Sequence, residues 1–197
     1  MPEMKKSGIA WVNDIPTSWK VHPIYAYFKE RKATNASGKE RNLLSLSYGR
    51  IVRKDIDSAD GLRPASYITY NIVMPGDIVI RPTDLQNDKR SLRTGLVTQR
   101  GIITSAYIAL APTEKVYSPF FHYLLHSYDV MKVFYNMGSG VRQSLSFNDF
   151  AKLKVLVPPL AEQRRIADYL DERCGAIDEA KKSIEEEVDA LRRLGVE

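Results

Sequence analysis

The residues with the most chemistry to offer lie between Arg81 and Arg100. Arg81, Lys89, Arg90, Arg93 and Arg100 are interleaved with Asp84, Gln86, Asn87, Ser91, Thr94 and Gln99. Cationic side chains neutralise phosphates. Arginine also forks onto guanine, Asn and Gln onto adenine, and Asp accepts from cytosine. A polar loop carried on a rigid sheet is a common place for recognition residues, although a plain solvated loop has the same composition. Arg142-Gln143-Ser144, following Gly138-Ser139-Gly140, forms a second candidate of the same kind. Arg50, Arg53 and Lys54 are expected to flank the first.

Catalytic constellations are harder to find. His122 and His126 stand four apart in a helical pattern, but no third ligand is in view and aromatic residues surround them, so packing or surface roles outweigh a zinc site. Glu30-Arg31-Lys32 has nuclease-like spacing without a preceding strand bearing a metal-binding Asp. It reads as a solvated helix end. The chain has no Gly-x-Ser-x-Gly elbow, Walker-type phosphate loop or amino-methyltransferase Asn/Asp-Pro-Pro-Tyr/Phe string, and Gly138-x-Gly140 lacks the strand and helix of a dinucleotide fingerprint. A single cysteine, Cys174, excludes an intramolecular disulfide and any cysteine-based zinc cluster.

The elements that must carry these residues fall into two parts. At 197 residues, 44% hydrophobic and 27% charged, the chain has enough apolar material for a folded core plus an extension. Residues 160–197 hold seven Lys/Arg against eleven Asp/Glu, a net −4. The rest holds 22 against 13, a net +9. A basic body suits a polyanion partner, most often nucleic acid; a surface that merely aids solubility would have the same balance. No apolar run is long enough for a membrane span and no apolar segment follows the basic N-terminus, so a cytoplasmic protein is expected.

Residues 1–22 read as a lead-in segment anchored by Trp11 and Trp19, and Pro23 to Arg31 as a short helix. Period-two alternation starts at Leu43 and predicts a strand to Tyr48, continued by Ile51-Val52 past a glycine. Further strands are expected over Ser66–Met74, Ile78–Ile80, Leu96–Thr98 and Ile102–Leu110. Ser118-Pro119 starts a helix with Phe121, Leu124, Leu125, Tyr128, Met131, Phe134 and Tyr135 at helical spacing, Ser118 being its N-cap. Ser146 to Ala151 predicts a capped helical turn, and Leu153 to Val157 a last strand. The fold class is α+β: a mainly antiparallel-sheet domain over 1–157, then a long coiled-coil-forming helix over 158–197.

That helix opens after Pro158-Pro159. Ile166, Leu170, Cys174, Ile177, Ala180, Ile184, Val188, Leu191 and Leu194 follow at steps averaging 3.5 residues, a heptad seam. A helix from Ala161 to Leu194 would be about 50 Å long. It needs a partner helix, from this chain, from a second copy or from the rest of a longer protein. On the seam Cys174 reads as a small apolar filler.

Gly138-Ser139-Gly140-Val141-Arg142-Gln143-Ser144-Leu145, followed by Leu153-Lys154-Val155-Leu156-Val157-Pro158-Pro159-Leu160-Ala161-Glu162-Gln163-Arg164-Arg165-Ile166, resembles the specificity (S) subunit of type I restriction–modification enzymes. The Pro-Pro-Leu-x-Glu-Gln-x-x-Ile junction is the most specific part. Pro75-Gly76-Asp77-Ile78-Val79 and Gly101-Ile102-Ile103-Thr104-Ser105-Ala106-Tyr107 are looser matches. The resemblance implies a target recognition domain that reads one half of a bipartite site in double-stranded DNA. It also implies a spacer helix that packs antiparallel on a second such helix and docks methyltransferase (M) subunits, with restriction (R) subunits in the same complex. S-adenosylmethionine, ATP and Mg2+ would belong to those partners, with no cofactor and no catalytic site in this chain. Complete members usually carry two recognition domains and two spacer helices. One of each here implies a half-length form that dimerises or a piece of a longer protein, and the end at the seam helix favours the second. No base assignment carries over, so the DNA-contacting candidates rest on residue chemistry alone.

A coiled-coil protein-interaction module with an incidental basic body is the alternative; a stand-alone nuclease comes third. Salt-dependent DNA binding separates the first from the second, and metal-dependent cleavage by the pure chain would revive the third.

Overall fold

A computed structural model describes residues 3–57, 64, 66–85, 90–133, 135, 137 and 144–195. Its centre is a short strand read correctly from its apolar run, β8 (Ile78–Ile80). Ile78 and Ile80 belong to the main core, while Val79 joins a smaller cluster with Leu44, Val73, Val97 and Ile103. Burial of both faces explains why the run is continuously apolar and not alternating. β8 sits in a four-stranded antiparallel sheet of order β4 (Phe28–Glu30), β11 (Ile108–Pro112), β8 and β9 (Thr94–Leu96). The turn into it, Met74 to Asp77, has Pro75 second and Gly76 third at φ +90°, and Asp77 N–H bonds Met74 O at 3.0 Å, the geometry of a type II turn.

α1 (Ser118–Val130) packs on β9 and presents Phe121, Leu125 and Tyr128 to the main core. Its N-cap is Tyr117, one residue before the expected Ser118. Lys132, at φ +61°, lies beyond the helix end, short of the expected run to Tyr135. α2 (Phe147–Phe150) is the expected capped turn: Ser146 accepts from Asp149 N–H and the Asp149 carboxylate accepts from Ser146 N–H. β12 (Lys154–Val157) pairs antiparallel with β3 (Lys20–Pro23) and leads into α3 (Leu160–Arg193), the long helix expected from the heptad seam.

Several expectations fail for local reasons. The lead-in segment is ordered strand, β1 (Met4–Ile9) hairpinned to β2 (Val12–Pro16) and then β3. The expected 23–31 helix is a single 3-10 turn at Ile24–Ala26, because the following residues pair as β4 with β11. The stretch 43–53 is a hairpin of β5 (Leu44–Ser47) and β6 (Arg50–Arg53), turned at Tyr48 and Gly49 with φ +47° and +77°. Positive φ at both central residues matches the twist of a tight hairpin, so the glycine reverses the chain where continuation was expected. Of 66–74, only β7 (Asn71–Val73) is strand; Tyr67 to Tyr70 form a turn closed by Tyr70 N–H to Tyr67 O at 3.2 Å. A similar turn, Tyr107 N–H to Thr104 O, splits the expected 102–110 strand into β10 (Gly101–Ile103), paired with β7, and β11. The strand expected at 96–98 lies at 94–96, moved by its pairing with β8.

Candidate nucleic-acid interface

The register of the sheet decides which loops share an end. Ile80 pairs with Thr94 on one side and with Ile108 on the other, and Glu30 pairs with Leu110. The 81–93 loop, the Thr104–Tyr107 turn and Lys32 therefore leave the sheet at the same end. Leu145 N–H bonds Pro82 O at 3.0 Å, which brings Ser144-Leu145 to that end too. The described root of the first polar segment and the residues that follow the second candidate are therefore neighbours in space. A cavity of about 280 Å³ lies at their foot, lined by Lys32, Pro82, Tyr107, Leu145, Phe147 and Asn148 among others.

The predicted DNA-contacting residues divide. Arg90 is exposed, and Arg81 and Asp84 are half-buried at the loop's first root. Gln86, Asn87, Lys89, Arg142 and Gln143 lie outside the described residues. Arg93 is a correction: it is fully buried. Its guanidinium donates to the carbonyls of Thr83 at 2.6 Å and Asp84 at 3.0 Å, to Arg81 O at 3.4 Å and to the Tyr135 hydroxyl at 3.0 Å. Its own N–H donates to Asp129 Oδ2, and Tyr135 Oη–H to Asp129 Oδ1 at 3.2 Å. Burial pushes the Asp129 carboxyl up, while the Arg93 backbone bond, Lys132, Tyr135 and the Arg93 charge pull the other way. Arg93 is thus the internal tie of the loop, holding the strand leaving β8 against the one entering β9 and against the chain beyond α1.

Gln99 and Arg100 are a second correction of placement. They follow β9, so they lie at the end of the sheet opposite the 81–93 loop. Both are exposed, and both are engaged: Arg100 Nε with Glu40 Oε2 at 2.8 Å and Gln99 Oε1 with Asn42 Nδ2 at 3.3 Å. The Arg100 bond holds the Glu40 carboxyl below its usual range. His122 and His126 face each other at 6.2 Å between ring centres, half-buried on α1. Burial first, then the neighbouring His126, lowers His122 to about 4, so it is neutral near pH 7. Among the described residues no cluster of three His, Cys, Asp or Glu could hold a metal ion.

The junction into α3 explains its own sequence. Gln163 is buried; its Oε1 accepts from Tyr117 N–H and its Nε2 donates to Pro158 O, both at 2.9 Å. Glu162 accepts from Trp19 Nε1 at 3.1 Å, and Arg164 stacks over Tyr117. Further along, Tyr123 donates to Asp171 at 2.7 Å and Arg50 pairs with Asp178. The seam divides accordingly. Ile166 and Leu170 are half-buried, Ile166 packing on the core, whereas every residue from Asp171 to Gly195 is exposed. Ile177, Ile184, Val188 and Leu191 form an exposed apolar line that continues from Cys174, which lies beside the Tyr123 hydroxyl. Trp19 packs on a core cluster, as expected of an anchor; its bond to Glu162, the role of Gln163 and the Arg50–Asp178 tie are not read from the sequence, where only the junction string points to Gln163. No helix among the described residues is long and apolar enough to cross a membrane.

Comparison with known proteins agrees with the resemblance carried by the junction. Residues 96–190 match the family described as type I restriction modification DNA specificity domain. The fold is similar to that of the HsdS subunit from Thermoanaerobacter tengcongensis, with a TM-score of 0.60 and 19% identity over 98% of this chain and 45% of that one. A chain from a type I R-M system studied for complex assembly and conformational transition gives 0.62 and 20%, over 94% and 46%. The type I S subunit from M. genitalium gives 0.53 and 16%, over 89% and 45%. No curated protein sequence matches the chain. The chain spans less than half the length of these solved subunits. The antiparallel-sheet domain and long C-terminal helix are the architecture they share with it.

Proposed function

We propose that the chain is a non-catalytic DNA-recognition unit of a type I restriction–modification complex and reads one half of a bipartite site. The observation that carries this is the meeting of the roots of the 81–93 loop with Leu145 at one end of the sheet, through the Leu145–Pro82 bond. The body behind them has a net charge of +9 over residues 1–159, as counterion-releasing DNA contact requires. Base-edge readout falls to Gln86, Asn87 and Arg90, with Lys89 on phosphate. α3 is the spacer: its bare apolar line takes a second helix of the same kind, and its acidic outer face takes a methyltransferase subunit. S-adenosylmethionine, ATP and Mg2+ act on the partner subunits.

Selection of bound sequences from a random duplex pool tests this. The intact chain enriches a short motif, and binding weakens steeply with salt. A variant with Ala at Gln86, Asn87, Lys89 and Arg90 together loses that motif. Enrichment of the same motif with the same affinity by the variant removes the loop from the reading. A salt-independent protein partner with no DNA binding, even in the assembled complex, would favour a helix-pairing module instead.

A further inference from the structure

Tyr107 stands between two cavities. One is the cavity at the foot of the polar loops. The other, of about 160 Å³, has Leu44 and Ile103 in its floor and Tyr70, Tyr107, Thr104 and Lys54 around it. Its rings are held in place before anything binds. Tyr70 packs edge-on against Tyr67 at 5.1 Å, and Tyr107 rests on the small cluster of Leu44, Val79 and Ile103. Burial, with Tyr67 and Tyr107 beside it, raises the Tyr70 phenol, which therefore stays a neutral donor. Among the described residues neither phenol oxygen has a hydrogen-bond partner and the Lys54 ammonium has no carboxylate. Nearby cations are occupied: Arg41 with Asp57 and Arg100 with Glu40. A walled apolar floor with two tyrosine rings, their hydroxyls and a cation without a carboxylate among the described residues fits the deoxyribose and phosphate of a DNA backbone. Sugar and phosphate are the same at every position, so this contact adds affinity and no sequence information.

We propose that this pocket is a backbone contact of duplex DNA: a deoxyribose packs against Tyr70 and Tyr107 while Lys54 takes the adjoining phosphate. The inference rests on the DNA-reading function proposed above and extends the contact beyond both polar loops. Fluorescence anisotropy of the full chain on a random-sequence duplex pool at low salt tests it. Lys54→Ala lowers the slope of log affinity on log salt by about one. Tyr107→Ala, which removes the ring that covers the sugar, weakens binding roughly ten-fold, Tyr107→Phe restores it, and the selected motif is unchanged in all three. Wild-type affinity and slope in both Ala variants overturn the pocket and leave the reading standing. Absence of duplex binding by the wild-type chain overturns both. Displacement of the duplex by a mononucleotide mixture, lost in Tyr107→Ala, would make the pocket a free-nucleotide site and overturn the duplex contact. If Tyr107→Ala fails a thermal-melt check, the exposed Lys54 decides the matter through its salt slope.

Discussion

Removing the Arg93 guanidinium takes a donor from the carbonyls of Thr83 and Asp84 and from the Tyr135 phenol, and one of two nearby cations, the other being Lys132, from the buried Asp129 carboxylate. Breaking a buried charge cluster from one side costs about 3–5 kcal/mol, a large share of the stability of an ordinary domain. Arg93→Ala is therefore expected to lower the melting temperature sharply and to blur the selected DNA motif, although the side chain touches no DNA. Arg93→Lys, which keeps the charge and loses the planar fork, falls between the two. An unchanged melting temperature with a salt slope reduced by one would make Arg93 a phosphate contact and refute the tie. The case also shows what residue type cannot tell. Arg90 and Arg93 look alike in a polar tract, and only the pairing of Arg81 with Arg93 across the loop's root makes one inner and the other outer.

At the scale of elements, the period of apolar residues was a good guide where one face or both are buried over several residues. It located β8, β12, α1 and α3. It failed where chain reversals depend on one or two dihedrals, as at Tyr48-Gly49 and Thr104–Tyr107. The α3 junction is legible as a string, but its physics is not, because Gln163 reaches partners at Tyr117 and Pro158 that only the fold brings together. Gln163→Ala strands a backbone N–H and a carbonyl at the point where α3 leaves the body. The expected cost is about 1–3 kcal/mol, read as a lower melting temperature and faster amide exchange over 160–170. Gln163→Glu keeps the acceptor for Tyr117 but sets an oxygen against Pro158 O. Its defect should shrink as the pH falls and the carboxyl protonates, whereas that of the Ala variant should not. Equal behaviour of the two variants with pH would show that the Pro158 bond contributes nothing.

For the whole molecule, the charge split anticipated a division of labour that the packing makes concrete. The first turns of α3 belong to the body through Gln163, Ile166 and Ala167, Tyr123 and Arg50 tie it again at Asp171 and Asp178, and Ile177, Ile184 and Leu191 are exposed at 66%, 60% and 45%. Charges on α3 pair among themselves, Lys181 with Glu185 and Lys182 with Glu186, so they stiffen the helix without covering its apolar line. Burying an isoleucine side chain is worth about 1.5–3 kcal/mol, enough in a repeated line to hold two helices together. Ile177→Asp with Ile184→Asp should therefore abolish helix pairing in sedimentation equilibrium, whether the partner is a second copy or another spacer segment supplied in trans. The melting temperature of the body and its affinity for a single DNA half-site should be unchanged, because no core residue is touched. Loss of half-site affinity in this variant would mean that the exposed helix itself meets DNA. Undiminished pairing would mean that the apolar line is not the seam, and that the spacing of two half-sites is set elsewhere.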